Sequence, residues 1–384
     1  MNYLEKLLQG APVEWKTLGE VAKLQRGRVI SKQYLSENMG DYPVYSSQTA
    51  NNGEIGTIST FDFDQEAITW TTDGANAGTV FHRFGKFSIT NVCGLVNILD
   101  LQKLDYKFLF YWLSIEAKKY VYSGMGNPKL MSNQMEKIKI PIPPLSVQKE
   151  IARILDAFTA ITSELTSELT LRQKQYQHYR DKLLTFGEEV EWKMLGEVAE
   201  YAKTKIQATE LHENNYVGVD NLLQNKMGKT TSNYVPDSGR FTQFIDNDIL
   251  IGNIRPYLKK IWYSDCIGGT NGDVLVIRRK DNRINPRYLY QVLSDDKFFA
   301  YNIKHAKGAK MPRGNKEAIL QYLIPIPSLE EQKRIAAILD KFHTLTSSLS
   351  DGLPKEIELR QKQYEYYRDL LLNFKQDEAS LSPS

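Results

Sequence analysis

Two cysteines in 384 residues, Cys93 and Cys266, are too few for a disulfide framework, so a reducing cytoplasm is the expected compartment and both are expected to be buried thiols. Five histidines (His82, His178, His212, His305, His343) include none at zinc-ligand spacing from either cysteine, which argues against a structural zinc site. Long apolar runs are missing. The most apolar stretch, Phe108–Ile115, is too short and too polar to span a bilayer, and Met1–Gly10 lacks the cationic and apolar regions of a signal peptide. No large excess of one charge sign exists either, since the net charge is only +3.

Enzyme motifs are also missing. An amino-methylating enzyme would carry Asn/Asp-Pro-Pro-aromatic, and Asn285-Pro-Arg-Tyr288 lacks the second proline. Gly228-Lys-Thr230 lacks the upstream glycine of a phosphate-binding loop, because position 223 is Leu. No carboxylate cluster suggests a nuclease, and no metal site is expected.

What the chain does contain is itself, twice. Val13-Glu-Trp-Lys-Thr-Leu-Gly-Glu-Val-Ala22 recurs as Val190-Glu-Trp-Lys-Met-Leu-Gly-Glu-Val-Ala199. Thr90-Asn91 recurs as Thr270-Asn271, Ile140-Pro-Ile-Pro143 as Ile324-Pro-Ile-Pro327, and Leu171-Arg-Gln-Lys-Gln-Tyr176 as Leu359-Arg-Gln-Lys-Gln-Tyr364. The shift grows in order from 177 to 188 residues, as a duplication with small insertions requires. Residues 24–139 and 202–323 differ strongly, whereas the segments after the Ile-Pro-Ile-Pro motifs are nearly the same. Two dissimilar heads on a repeated scaffold imply two related but distinct recognition tasks. Tyr3-Leu-Glu-Lys-Leu-Leu8 echoes Tyr179–Leu184 and Tyr367–Leu372, so the chain begins inside the repeat and a circular layout follows.

The repeated segments read as long helices. Over Ser146–Leu184, apolar or aromatic residues recur at Ile151, Ile154, Phe158, Ile161, Leu165, Leu169, Tyr176, Tyr179 and Leu183, the spacing of a helix seam. The second copy, Ser328–Phe374, opens with the capping box Ser328-Leu-Glu-Glu331 and carries a seam from Ile335 through Leu349 to Tyr367. Gly352 and Pro354 predict a break in it. The two seams either bury each other as an antiparallel pair, the simpler solution, or dock separately on the heads or on another chain. His178 and His343 are expected on the helix surface. Thr162-Ser-Glu-Leu-Thr-Ser-Glu-Leu169 repeats a four-residue unit whose copy number would move the heads; it is also simply good helical sequence.

Each head reads as a mixed-sheet α/β domain of about 130 residues. Strands are predicted at 43–47, 67–71, 78–82 and 94–98, and at 248–251 and 272–277, with helices at Tyr106–Lys119 and Arg287–Ala300. Charge is local: residues 251–316 hold 14 Lys plus Arg against 5 Asp, and residues 76–139 hold 9 against 4 acids. Such segments suit phosphates, although solvated surface gives the same counts. The basic, Gly- and amide-rich loops supply the candidate DNA-binding residues: Arg26, Arg28, Ser47, Gln48, Thr49, Asn76 and Lys129 in the first head, and Lys205, Arg255, Tyr257, Lys307, Lys310 and Arg313 in the second. Arg suits guanine edges, Asn and Gln adenine, and Lys phosphates. Lys129 and Arg313 share one repeat position and lead the set.

Two copies of Glu-Trp-x₂-Leu-Gly-Glu, a variable head, the junctions Ile140–Asp156 and Ile324–Asp340, and a long helix together resemble the DNA-specificity subunits of type I restriction-modification systems over almost the whole chain. The resemblance implies an α+β fold: two α/β target-recognition domains separated by an antiparallel pair of long coiled-coil helices, in a pseudo-two-fold internal repeat with circular organisation. The implied boundaries are 1–12 for an N-terminal helical piece, 13–145 for the first recognition domain and 146–187 for the central helix. They continue with 188–327 for the second domain, 328–375 for the distal helix and 376–384 for a disordered tail. It also implies a non-catalytic reader in which each domain recognises half of a bipartite, asymmetric duplex site while the helices set the spacer. Two methylation subunits and the restriction subunits would be its partners, with no membrane. S-adenosylmethionine, ATP and Mg would be bound by those partners, leaving no cofactor in this chain. A stand-alone DNA-binding or tethering protein is the alternative.

Overall fold

The computed structural model describes residues 3–124, 126–347 and 351–375. The expected tail 376–384 and the seam residue Leu349 lie outside them. The chain divides into two compact units, Met1–Ser163 with Leu359–Ser384, and Glu164–Glu358.

In the first unit, Ala22–Arg26, Cys93–Ile98, Ala67–Thr71 and Val80–Arg83 form an antiparallel sheet in that spatial order. Alternation along these strands sends side chains to opposite faces. Ile68, Trp70, Val96 and Ile98 pack with Phe108 and Leu109 of the helix Tyr106–Glu116. Ala67, Cys93 and Leu95 pack with Phe87 and Ile89 of a second sheet. Both faces are covered, so Ala67–Thr71 is buried along its whole length. Gly94 lies under the Trp70 ring, where a Cβ would come within 2.2 Å of it. Trp70 uses its indole N–H on the Leu130 carbonyl at 3.0 Å.

The second unit repeats this design. Ala199–Tyr201, Val274–Arg279, Ile249–Gly252 and Ile261–Tyr263 take the same spatial order. Ile249, Ile251, Leu275 and Ile277 face the helical side, whereas Leu250, Val274 and Val276 face Val217 and Phe244 of the second sheet. The second sheets are where the heads diverge. Both contain a parallel pairing, Tyr42–Tyr45 with Lys86–Ile89 and Tyr216–Val217 with Gly268–Thr270. The fourth strand is added at opposite edges: Glu54–Ile58 beyond Tyr42–Tyr45, but Lys205–Gln207 beyond Arg240–Phe244. The strands at 22–26, 86–89, 240–244 and 261–263 escaped prediction: the first two alternate but are short and begin or end on a charge, and the other two do not alternate.

Each head is closed at its base by the repeated motifs themselves. Glu14-Trp-Lys-Thr17 pairs antiparallel with Lys139-Ile-Pro-Ile142, placing Trp15 opposite Pro141. Glu191-Trp-Lys-Met194 pairs with Leu323–Ile326 in the same register, Trp192 opposite Pro325.

The central helix is Leu145–Leu183, and the distal one is broken, as Gly352 requires, into Leu329–Ser347 and Leu353–Leu371. In the first unit Phe158 stacks on Tyr367 at 5.2 Å, and Leu371 and Leu372 join the core that holds Leu4, so the described first and last helices share one core. In the second unit Tyr176 and Tyr179 stack on Phe342 at 6.0 and 5.4 Å. The seams thus pack on each other as an antiparallel pair, although Ile161 and Tyr179 stay exposed.

Four local expectations are corrected. Arg287–Ala300 is not one helix: it is Pro286–Leu293 and Asp296–His305, because the Asp295 side chain accepts the Lys297 N–H and starts a new helix. The capping box at Ser328 is half made. Ser328 Oγ accepts the Glu331 N–H at 3.2 Å, but the Glu331 carboxylate takes Arg334 instead. His343 is not a surface residue. It is half-buried, and burial together with the nearby Arg287 and Arg180 cations lowers its pKa to about 4. His178 is exposed and Cys93 is buried, but Cys266 is half-buried rather than buried, because it packs only at the margin of the core around Phe244 and Trp262.

Candidate nucleic-acid interface

The repeated junctions fix each head to its helix through the same bonds. Gln148 is fully buried; its amide donates to the carbonyls of Lys103 (2.7 Å) and Pro143 (2.8 Å), and its oxygen accepts the Asp105 N–H at 2.9 Å. Gln332, also fully buried, donates to Arg283 (2.9 Å) and Pro327 (2.8 Å) and accepts the Asn285 N–H at 2.7 Å. Asp105 and Asn285 in turn cap the helices that begin there, accepting the N–H of Phe108 and Tyr288 at 2.9 Å each. Two helical turns on, Asp156 accepts the Tyr111 hydroxyl at 2.7 Å and pairs with Lys107, while Asp340 accepts Gln291 at 2.5 Å and Arg287 at 2.7 Å. A cation and a neutral donor four residues apart thus hold each aspartate.

On this frame the loops preceding the junctions present their basic residues alike. In the first head Lys129 pairs through its backbone with Tyr122, making bonds of 2.8 and 3.0 Å, and with Asp73 in an isolated bridge. In the second head Arg313 pairs with Lys307, both bonds 2.8 Å, and with Ile254. Each ladder fastens a loop tip to the hairpin of the first sheet, so a cation stands at a set place. Gly308, at φ +97°, makes the turn that an L side chain would strain.

Around Lys129 the structure gathers Arg26. Its guanidinium donates to the Asn91 carbonyl at 2.9 Å and the Thr72 hydroxyl at 3.1 Å. Asp73 lies 3.8 Å from Arg26 and 3.9 Å from Lys129, so one carboxylate serves two cations and a positive excess remains. Asn76 donates to the Thr49 hydroxyl at 3.1 Å, Ser47 to the Val92 carbonyl and Gln48 to that of Glu54. These bonds shape the loop, and the amides of Gln48 and Asn76 are partly committed to it. Arg28 is not brought into this group: it pairs with Asp62 at 3.0 Å and lies over the Tyr34 ring at 5.0 Å.

Around Arg313 the structure gathers Asp273, at 2.6 Å, and Arg255, whose N–H donates to the Pro312 carbonyl at 2.7 Å. Arg255 (φ 53°) and Lys259 (φ 51°) are left-handed and bracket the turn Pro256–Leu258, which carries half-exposed Tyr257. Lys307 and Lys310 are exposed on the same loop as Arg313. Lys205 stands apart on the second sheet, donating to Thr242 at 3.2 Å. Sequence reasoning missed Tyr122 and Met311, both exposed beside these ladders. Their only signal was position, two to seven residues before the leading cations. Among the described residues no group of His, Cys, Asp or Glu could hold a metal ion, and no helix is long and apolar enough to cross a membrane.

The model of the type I restriction modification DNA specificity domain matches residues 12–172 and again 187–359. The chain belongs to the type I DNA-specificity family. It is 34% identical to the EcoR124I/EcoR124II specificity subunit of Escherichia coli, over 99% of this chain and 98% of that one. Identity is 35% to a putative type I specificity subunit of Haemophilus influenzae, covering 97% and 98% of the two chains. For a putative type I specificity subunit of Mycoplasma pneumoniae it is 32%, covering 92% and 96%. The fold is that of the crystallised S subunit of a type I restriction-modification system from M. genitalium, with a TM-score of 0.65 at 17% identity, covering 98% and 100%. For this family member the two matched segments are the two copies read from the sequence. Each contains a recognition head of the α/β kind and its share of the helix pair.

Proposed function

We propose that this chain is the sequence-reading subunit of a type I restriction-modification assembly and performs no reaction itself. Each head reads one half of a bipartite, asymmetric duplex site, the helix pair sets the spacer, and two methylation subunits dock on it. S-adenosylmethionine belongs to those subunits; ATP and Mg belong to the restriction subunits. The complex works on DNA in the cytoplasm. The reading rests on one observation: a frame repeated bond for bond at Gln148 and Gln332 carries Lys129 and Arg313 on matching ladders, while the second sheets beside them are built differently. A shared frame with unlike edges suits two different base sequences read by one mode, with cations on phosphates and amide and guanidinium groups on base edges.

The deciding measurement is a genome-wide map of methylated adenines in cells with and without this chain, together with co-purification of a methylation subunit. A bipartite motif that vanishes with the chain is expected. Loss of co-purification with an unchanged map would leave a stand-alone DNA-binding protein. Exchanging residues 24–139 for another member's head should alter one half of the motif only, and change in both halves would refute modular reading.

A further inference from the structure

In the second unit, a pocket of about 190 Å³ lies where the helices meet the head, lined among others by Tyr176, Arg180, Lys226, Ser294, His343 and Ser347. None of its described lining residues is a carboxylate. Arg180 is 4% exposed and donates to both oxygens of Gln291, at 3.2 and 2.8 Å, and to the Tyr176 hydroxyl, with no carboxylate within ion-pair distance among the described residues. Lys226 shares a single oxygen of Asp296 with Lys259, each at 2.9 Å. The Ser294 hydroxyl is buried without a well-formed hydrogen bond, the Tyr290 hydroxyl lying beside it. Holding a buried Arg180, a half-buried Lys226 and a buried hydroxyl together with few acceptors is costly unless an anion supplies them.

The first unit shows what the same frame looks like when it is satisfied. There the counterpart of Arg180 is Arg368, which bonds Asp369 at 2.7 Å. The counterpart of Ser294 is Ser114, which donates to the Tyr111 carbonyl at 2.7 Å, and that of His343 is Thr159, which donates to Leu155 at 2.9 Å. Lys226 comes from a turn of the second head's own, Asn225-Lys226, with φ of 55° and 65°. The unmatched donor set is therefore peculiar to the second unit.

We propose that this pocket is an oxyanion site, taking a phosphate-sized anion through Arg180, Lys226 and the Ser294 hydroxyl. Its volume is ample for one such ion with accompanying waters, since a single water needs only about 10–15 Å³ of it. Burial and the flanking cations hold His343 neutral and lower the Lys226 pKa, and a bound anion would relieve both. The site also reaches the reading surface. Asn225 and Lys226 donate backbone N–H groups to Leu258 and Lys259 at 2.9 Å each, at the end of the turn that carries Arg255 and Tyr257. Occupancy therefore steadies that turn. A free phosphate and a backbone phosphate of DNA offer the same oxygens.

The test is titration of the full-length chain with inorganic phosphate against chloride at equal ionic strength, followed by thermal unfolding and by the imidazole resonances of His343. Saturable stabilisation with a rise in the His343 pKa is expected. Lys226→Met and Ser294→Ala should each weaken phosphate binding at least tenfold; the serine change removes one hydroxyl and leaves the fold intact. No saturable effect in the parent chain, or equal effects in parent and both variants, would overturn the proposal. A competing DNA duplex identifies the source: displacement assigns the site to a backbone phosphate, and no displacement assigns it to a free ion.

Discussion

The side-chain oxygen of Gln148 accepts the backbone N–H of Asp105 at 2.9 Å, and the same side chain donates to two carbonyls. A leucine there fills the space but strands three buried polar groups. At about 1 kcal/mol or more for each, Gln148→Leu should destabilise the first unit by about 3 kcal/mol. Gln332→Leu should do the same to the second. Chemical denaturation of each variant, read as a shift in midpoint at constant slope, measures this. A shift below ~1 kcal/mol would mean that solvent replaces the lost bonds.

Lys129 and Arg313 are more than half exposed, and their pairs with Asp73 and Asp273 contribute little to folding, about 0–1 kcal/mol. Lys129→Gln and Arg313→Gln should therefore melt like the parent and weaken binding to the recognised duplex. If each contacts a phosphate, the slope of log affinity against log salt should fall by about 1 per substitution. An unchanged slope with altered sequence preference would assign the residue to a base edge instead.

Arg83 is 3% exposed, its guanidinium lying 3.6 Å from the Tyr45 ring and 4.5 Å from that of Phe81, and it donates to the Asn52 carbonyl at 2.8 Å. It holds Asn51 and Asn52 in left-handed backbone, at φ of 48° and 53°. Arg83→Met keeps the bulk and removes that tie. The expected result is a loss of about 1–3 kcal/mol and relaxed sequence preference in one half-site only, seen in methylation maps. Relaxation in both halves would exclude a local role.

His343 titrates near pH 4 in the fold and near its ordinary 6.5 when unfolded. A histidine whose folded pKa is depressed adds stability that is complete above the unfolded value and is lost as pH falls toward the folded one. Stability of the second unit should therefore decline between about pH 6.5 and 4. Arg287, Arg180 and Lys226 oppose protonation and Asp340 favours it. Denaturation curves of the parent and of His343→Gln across this range should differ in slope, the variant being flatter; parallel curves would refute the assignment.

Much of this molecule was legible in its sequence, because the duplication doubles every signal. The break at Gly352, the seam from Ile151 to Leu183 and the strand 67–71 all follow from local chemistry. Strands such as Ala22–Arg26 and Arg240–Phe244 were not legible, since one is a short run ending in charge, the other lacks alternation, and both gain their structure from partners distant in sequence. The split at Asp295 was hidden inside a continuous helical pattern, where one capping side chain outweighed the periodicity. Lys129 and Arg313 were found by their shared repeat position. Asp73 and Asp273, which set the charge around them, sit on other loops, and only folding brings them near. His343 was misread because its spacing says helix surface, whereas Arg180, Tyr176 and Lys226 close over it.

The ribbons that join Glu14–Thr17 to Lys139–Ile142, and Glu191–Met194 to Leu323–Ile326, have an evolutionary consequence. Entry and exit of each reading module sit side by side on a mounting whose residues hardly vary between copies. Crossovers between genes within those matching tracts would exchange a whole cartridge and leave the socket unharmed. New DNA targets can thus be acquired in one recombination event, without first passing through an unfolded hybrid.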